Sequence, residues 1–346
     1  MTFLQLSEAN IIGTIIAFIL GLFIVPMVIA YSEKKGLMDL PGGRKIHAHP
    51  VSRLGGVAIW VCSILALFSV ILVSHYPHRA LLSGIILGSS LMFLLGLIDD
   101  IYALEAKFKF TLQITIASIV FCLGVKISTI FLPFFGTINL HPVISYFATI
   151  GWIVGISNAV NFIDGVDGLA GSVIAVSSVT LGLISLVQQD TVSALIAFIL
   201  AGSMLGFLTY NFHPAKIFMG DSGALFGGFL LSTLSIMYQM KTSDITMYVP
   251  LLVLAVPICD IVFSSVRRII KGISPFVADA EHIHHKLLKA GFSQNNTVAI
   301  LTLVAIVGGA IATALVGSIG HYILYMVVLL LIMFCLSLIS ISRKKQ

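Results

Sequence analysis

Several aspartates of this chain lie inside or beside long apolar segments, where an ionisable side chain is costly and usually functional. They are Asp99 and Asp100 in LLGLIDD, Asp164 and Asp167 in NAVNFIDGVDGLAG, Asp221 in NFHPAKIFMGDSG, and Asp260 in VPICDIVF. Carboxylate oxygens suit a hard cation such as Mg²⁺, which often takes one or two carboxylates together with substrate phosphates. The pattern favours cation-assisted phosphate chemistry, although the Asp99–Asp100 pair alone could equally be a solvated helix end.

The segment from 158 to 171 has the most specific spacing. Its polar residues recur every three positions and would lie near one face of a helix: Asn158, Asn161, Asp164 and Asp167. Glycines continue the same step, which lets backbone or ligand approach closely: Gly165, Gly168 and Gly171. A helix–turn–helix junction explains one Asp and one Gly of this set but leaves the others without a reason.

Asp221 opens the next polar junction and could be only a helix N-cap. A helix N-terminus also attracts phosphate through its free N–H groups, so the structural and functional interpretations are compatible. Lys216 supplies a nearby cation, or serves only as an anchor at the membrane surface.

Three histidines lie within four residues of a basic loop, at His282, His284 and His285. They could bind Zn²⁺, although no cysteine is near, or they could donate hydrogen bonds to phosphate oxygens. Basic residues of the same loop fit phosphate or anionic lipid: Arg267, Arg268, Lys271 and Lys286. A surface loop enriched in histidine by chance is the simplest alternative.

These residues must be positioned by membrane helices. The 346 residues are 58% hydrophobic and only 10% charged, which excludes a soluble enzyme, a nucleic-acid-binding domain and a disordered protein. We predict an all-α polytopic membrane bundle of about eleven helices. The apolar segments are 10–31, 54–74, 80–98, 110–132, 143–162, 169–187, 191–209, 223–240, 247–266, 296–317 and 322–341.

The charges predict the orientation. All of the 19 basic residues except Arg79, Lys126 and Lys241 fall on one set of alternate loops, which indicates an outside N-terminus and a cytoplasmic C-terminus. We expect one transmembrane catalytic domain over 1–346, with cytoplasmic loops near 32–53, 99–109, 210–222 and 267–295. All acidic residues except Glu8, Asp190 and Asp244 then lie near the cytoplasmic face.

Taken together, these motifs resemble the polyprenyl-phosphate N-acetylhexosamine-1-phosphate transferases. The segments that carry the resemblance are RKIHAHPVSRLGG (44–56), GLIDD (96–100), NAVNFIDGVDGLAG (158–171), NFHPAKIFMGDSG (211–223) and ADAEHIHHKL (278–287). The HIHH form and the eleven-span layout are similar to the WecA/TagO-like branch of the MraY-related superfamily. The MraY branch itself typically has three consecutive histidines and ten spans.

The resemblance implies transfer of GlcNAc-1-phosphate from UDP-GlcNAc to undecaprenyl phosphate, with release of UMP and initiation of a cell-envelope glycan. It implies Mg²⁺, or Mn²⁺, and an active site on the cytoplasmic face of the bacterial inner membrane. It implies no nucleic-acid partner and is compatible with a homodimer. The polymer that the product feeds stays open.

Residue roles follow from the matching motif positions. The resemblance implies catalytic roles for Asp99, Asp100 and Asp221, and a metal site of Asp221, Asn161 and Asp100. It implies substrate binding by Lys45, His47, Asn158, Asn161, Asp164, Asp167, Asn211, Phe218, His282, His284 and His285.

Three alternatives remain at this point. The donor could be the MraY-type UDP-MurNAc-pentapeptide, or the protein could be an ion-coupled transporter, although transporter sites tend to lie at the bilayer midplane. The transfer could also proceed in two steps through a carboxylate nucleophile, Asp221 or Asp100. Direct attack by the lipid phosphate is simpler, because a phosphate monoester is already mostly dianionic at neutral pH.

Overall fold

A computed structural model describes residues 3–39, 50–73, 79–132, 134–242, 244–272 and 282–317. Twelve α-helices are described: α1 Phe3–Lys35, α2 Gly55–Val73, α3 Arg79–Tyr102, α4 Ala106–Cys122, α5 Pro142–Ile163, α6 Leu169–Val187, α7 Thr191–Asn211, α8 Gly220–Gln239, α9 Val249–Val253, α10 Ala255–Ile270, α11 Ile283–Lys289 and α12 Gln294–Val316. The chain is thus a mostly helical polytopic membrane protein, as predicted.

Seven of these helices are long and apolar enough to span a membrane, and the number is eight if the bent pair α9–α10 counts as one span. The predicted count of eleven is therefore not confirmed within the described ranges. The predicted span 322–341 lies outside them.

Helix α8 lies at the centre of the bundle, where its residues from Ser222 to Tyr238 are all buried. It packs mainly against α3 and α5. Because protein surrounds it, α8 can carry hydroxyl residues that a lipid-facing helix would expose, and Ser235 accepts a hydrogen bond from the Trp152 indole at 2.8 Å. The first turn of α8, which carries Asp221 and Ser222, therefore lies at one end of the bundle.

The predicted fourth span, 110–132, was wrong at its C-terminal end. Helix α4 stops at Cys122, and Gly124 takes a left-handed φ of 104° that ends the helix. The β-branched stretch that follows forms an antiparallel hairpin of β3 Thr129–Leu132 and β4 Gly136–Asn139, with Thr129 opposite Asn139.

The predicted ninth span, 247–266, is broken. A 3₁₀ turn, Ile245–Tyr248, leads into α9, and α10 then departs at 77° from that direction. Pro257 has no N–H for the carbonyl of Val253, and the Ser177 hydroxyl of α6 donates to that carbonyl instead, at 3.0 Å. A neighbouring helix therefore supplies the hydrogen bond that the freed carbonyl needs inside a membrane protein.

A second small ladder lies beside the start of α8. Strands β1 Met38–Asp39 and β2 Val51–Ser52 are antiparallel, and Ser52 also bridges to Ile217 in parallel. These short strands depart from the all-α prediction, and they connect the loop after α1 to the segment that leads into α8.

Candidate active site

The carboxylate of Asp100 closes the N-terminus of α8 from outside that helix. Its Oδ1 accepts the backbone N–H of Asp221 at 2.8 Å, and its Oδ2 accepts the N–H and hydroxyl of Ser222 at 3.0 and 2.6 Å. The residue before α8, Met219, offers no side-chain cap. Asp100 thus supplies from α3 the negative cap that the first turn of α8 needs.

Glycines allow this close approach. Gly220 has a φ of 69°, and a Cβ there would lie 2.6 Å from the Arg53 carbonyl oxygen and 2.7 Å from an Asp100 oxygen. A Cβ on Gly96 of α3 would lie 2.5 Å from the Asp221 carbonyl oxygen. The GLIDD and GDSG motifs are therefore packed backbone to backbone, which only glycine permits.

Lys109 of α4 joins the other two aspartates at this end of the bundle. Its ammonium donates to Asp99 Oδ2 at 2.7 Å and also to Asp221 Oδ2. Asp99 Oδ1 accepts the N–H of Leu104 at 2.7 Å. The Lys109 side chain is only 15% exposed, so its charge acts on the two carboxylates rather than on solvent.

Sequence reasoning missed Lys109, because an excess of basic residues in cytoplasmic loops accounts for any lysine there. The available signal was its position inside the apolar run FKFTL, close after the Asp99–Asp100 pair. A lysine that only anchors a loop at the cytoplasmic surface does not need apolar neighbours on both sides in the sequence.

Asn158 bonds protein rather than facing an open cleft. It exchanges two hydrogen bonds with Gln113 of α4, at 2.6 and 3.3 Å, and donates to the Val154 carbonyl at 2.8 Å. Asn161 lies one turn further along α5 and is half-buried. Asn158 therefore fixes α5 against α4, and Asn161 precedes Asp164 by three positions in the chain.

Asp164 ends α5 and faces the other carboxylates. Burial first, and then the negative charges of three neighbours, raise the pKa of Asp164 well above its usual range; the neighbours are Asp221, Asp100 and Asp167. Within the described part of the chain, its carboxylate accepts no hydrogen bond. Asp164 is thus the acidic side chain of this group with both oxygens available to a ligand.

Asp167 and Asn211 hold two loops together. Asp167 Oδ2 bonds His213 Nδ1 at 2.8 Å and accepts the N–H of Ala215 at 3.2 Å. The buried Asn211 amide accepts the N–H of Gly168 at 3.0 Å and donates to the Ile217 carbonyl at 2.7 Å. The Asn211 amide and one oxygen of Asp167 are thus bonded to protein, and these bonds hold the two loops in place.

Phe218 is half-buried beside β2. Its N–H donates to the Ser52 carbonyl at 2.8 Å, and its carbonyl accepts the N–H of Gly55 at 3.0 Å. The other predicted residues of this region, Lys45 and His47, lie outside the described residues.

The histidines meet the turn that follows α5. His284 is 1% exposed, and a Cβ on Gly165 would lie 2.6 Å from its Nε2. Neither of its ring nitrogens has a hydrogen-bond partner among the described residues. Burial, followed by the charge of His285, lowers the pKa of His284 to about 4, so at neutral pH this ring is uncharged and has one donor and one acceptor to offer a ligand.

The donor atoms fit a hard divalent cation. No group of three His, Cys, Asp or Glu side chains is arranged as a metal cluster in the described ranges, but Mg²⁺ commonly takes one or two carboxylates and completes its shell with substrate phosphates and water. The Asp221 carboxylate and the half-buried Asn161 amide are side chains of the types that fit that requirement, and the negative charges around Asp164 favour a cation here. Asp100 fits less well, because its oxygens already bond α8.

Several known proteins are similar in sequence to this chain over most of its length. A probable undecaprenyl-phosphate N-acetylglucosaminyl 1-phosphate transferase of Bacillus subtilis is 33% identical over 94% of this chain and 91% of its own length. A decaprenyl-phosphate N-acetylglucosaminephosphotransferase of Mycolicibacterium smegmatis is 32% identical over 98% and 90%. An undecaprenyl-phosphate alpha-N-acetylglucosaminyl 1-phosphate transferase of Escherichia coli K12 is 30% identical over 84% and 77%.

Residues 82–239 also match the profile of Glycosyl transferase family 4. The chain belongs to glycosyl transferase family 4. The resemblance inferred from the motifs is thereby confirmed. The match to glycosyl transferase family 4 contains Asp99, Asp100, Asp164 and Asp221 but ends before the histidine segment, which the structure nevertheless places against the turn at Gly165.

Proposed function

We propose that the protein transfers GlcNAc-1-phosphate from UDP-GlcNAc to undecaprenyl phosphate, on the cytoplasmic face of the bacterial inner membrane. The observation that carries the proposal is the group formed by Asp99, Asp221 and Lys109 at one end of a membrane bundle. The names of three relatives support it, since each describes transfer of an N-acetylglucosamine phosphate to a polyprenyl phosphate.

The reaction brings together two groups that repel each other. The donor diphosphate and the acceptor phosphate carry about four negative charges in total. An oxygen of the lipid phosphate attacks the β-phosphorus of UDP-GlcNAc, a new P–O bond forms, and the bond to the oxygen of UMP breaks. UMP leaves with that electron pair, so positioning and charge stabilisation are the main tasks of the protein.

Asp221 and Asn161 would hold Mg²⁺ or Mn²⁺ at this site. When bound there, the ion would supply positive charge that offsets the repulsion between phosphate oxygens. Lys109 holds the Asp221 carboxylate at the cluster and contributes a fixed positive charge. Asp100 acts through α8, because the first turn of that helix carries Asp221.

The donor would lie between the turn after α5 and the histidine segment. From the histidine segment, the neutral and nearly inaccessible His284 ring offers one hydrogen-bond donor and one acceptor. Asp164 lies on the turn after α5. A sugar nucleotide has hydroxyl, amide and phosphate groups that complement these atoms. The acceptor would reach the same end of the bundle from the bilayer.

The deciding experiment is an assay in detergent with radiolabelled UDP-GlcNAc and undecaprenyl phosphate, with and without Mg²⁺. We expect a lipid-linked diphosphate sugar and stoichiometric UMP, both dependent on the ion. UDP-GalNAc and UDP-MurNAc-pentapeptide serve as competing donors. Absence of product, preference for another donor, or full activity in chelator would contradict the corresponding part of the proposal.

A further inference from the structure

The carboxylate of Asp260 lies outside the cluster described above, and the proposed reaction gives it no role. It stands on α10 and is 2% exposed. Its Oδ2 bonds His282 Nδ1 at 2.6 Å, and its Oδ1 accepts the N–H of Ile283 at 2.7 Å. One buried carboxylate thus holds both the side chain and the adjoining backbone of the histidine segment.

The direction of the hydrogen bond determines the chemistry of His282. An ionised carboxylate only accepts, so Nδ1 of the imidazole must carry the proton. Nε2 is then the nitrogen left for another partner, as an acceptor in the neutral ring or as a donor in the cation. A carboxylate in this position fixes which nitrogen of a histidine can act, as it does for catalytic and metal-bound histidines.

The ring is also fixed by stacking. The centroid of Phe162 lies 5.5 Å from that of His282, and the centroid of His284 lies 5.8 Å away with the two histidine planes almost parallel, at 6°. Phe162 belongs to the last turn of α5, two residues before Asp164. His282 is therefore set against the element that carries the predicted donor-binding residues.

Burying a carboxylate is expensive, and an anchor for α11 could be built from a neutral side chain. The charge of Asp260 has a purpose if it sets the protonated nitrogen of His282. The break between α9 and α10 contributes to this arrangement, because α10 leaves α9 at 77° and carries Asp260 in its second turn.

We propose that Asp260 is a positioning residue for donor binding: it holds His282 through the N–H at Nδ1, so that the N–H at Nε2 of the imidazolium donates to the diphosphate of the sugar nucleotide. The inference rests on the proposed transferase function. It assigns Asp260 no contact with substrate, and all of its effect on the reaction passes through His282.

The test is a double-mutant cycle of Asp260→Asn and His282→Ala, assayed with both substrates. We expect Asp260→Asn to raise the KM for UDP-GlcNAc about 10-fold, comparable to loss of the outer partner of a metal-bound histidine, and to leave the acceptor KM within about twofold. In the His282→Ala background the same change should alter donor KM by less than about twofold. Asp260→Glu, which keeps the charge, should recover part of the loss.

Asp190→Asn is the matched control. Asp190 is also buried, caps α7 through Ser193 and pairs with Lys241 at 2.9 Å, but it follows the opposite end of α6 from the site. We expect it to lower thermal stability without changing donor KM.

Additive effects of Asp260→Asn and His282→Ala, equal changes in both KM values, or a loss that follows thermal stability alone would overturn the positioning role. An inactive wild-type protein would instead contradict the proposed function. If Asp260→Asn does not fold, the Asp260→Glu and His282→Ala pair carries the same comparison.

Discussion

Asp100, at the end of α3, accepts the backbone N–H of Asp221, at the start of α8, at 2.8 Å. The two residues are 121 positions apart in the chain. Both were predicted to be catalytic and to hold the metal, yet the contact between them is part of the scaffold. The orientation of the Asp221 side chain therefore depends on the carboxylate of Asp100.

We expect Asp100→Asn to reduce both stability and turnover. The amide oxygen can replace one carboxylate oxygen, but the amide nitrogen would face the N–H and hydroxyl of Ser222. Loss of a charged cap costs about 1–2 kcal/mol, and displacement of Asp221 should lower kcat about 100-fold. Thermal unfolding and initial rates measure the two effects. A large loss of kcat at wild-type stability would instead indicate direct chemistry by Asp100.

Asp221→Asn should abolish turnover while preserving the fold. The cap of α8 uses the backbone N–H of Asp221, which the substitution leaves unchanged. A neutral amide is a poorer ligand for Mg²⁺ than a carboxylate, so the increase in thermal stability that we expect Mg²⁺ to give the wild type should disappear. Near-normal rates at saturating Mg²⁺ would contradict the ligand role.

Lys109→Met should tighten Mg²⁺ binding and still lower the rate. The ammonium bonds Asp221 and Asp99, so it would compete with a bound metal ion for these carboxylates. Without it, less Mg²⁺ should be needed for half of the thermal shift, whereas kcat should fall about 100-fold because a fixed positive charge is lost. Lys107→Met, on an exposed side chain of the same helix, is the matched control. Weaker Mg²⁺ binding in Lys109→Met would show that no such competition exists.

Gly96→Ala should displace the start of α8. Its Cβ would lie 2.5 Å from the Asp221 carbonyl oxygen, and overpacking of this kind costs about 1–3 kcal/mol. Gly155→Ala in α5 is the control, since no atom lies within 4 Å of the added Cβ and alanine is the better helix former by about 0.5–1 kcal/mol. Thermal midpoints should therefore shift in opposite directions. Equal midpoints would mean that α3 and α8 can separate at no cost.

His284 should make the stability of the protein sensitive to mild acid. Its pKa in the folded state is lowered to about 4, whereas an unfolded histidine titrates near 6.5. As the pH falls, the unfolded chain therefore binds the proton first. The stability that depends on a neutral His284 is fully present above about pH 6.5 and is lost as the pH falls towards 4.

The wild type should accordingly lose about 2 kcal/mol more than His284→Gln between about pH 7.5 and pH 5. Thermal midpoints across this range provide the measurement. The same substitution at exposed His141 is the control for the change of side chain. Parallel pH profiles for wild type and His284→Gln would contradict a buried neutral imidazole.

The positions of most membrane helices follow from the sequence, because an apolar run of about 20 residues has few alternatives in a bilayer. Two departures from the predicted spans have local causes. Helix α4 ends at a glycine within an apolar run, and the break before α10 depends on a hydroxyl of α6 that receives the freed carbonyl. Hydrophobicity alone distinguishes neither case from a continuous span.

The residue types of the site were also accessible from the sequence, but their division of labour was not. Asn211 and Asp100 carry the polar groups expected of ligands, and both bond neighbouring backbone. The contact of Lys109 with Asp221 joins residues 112 positions apart. Such long-range contacts decide which polar groups are left to bind substrate. The spacing of residues in a single sequence does not reveal these contacts.

The glycine-lined junction between α3 and α8 has a consequence for engineering. Backbone contacts join three segments, 53–56, 96–100 and 219–223. A chimera that takes only one of them from a distant relative should therefore lose the close fit between α3 and α8. Grafts that move all three segments together should therefore keep the contact between Asp100 and the start of α8.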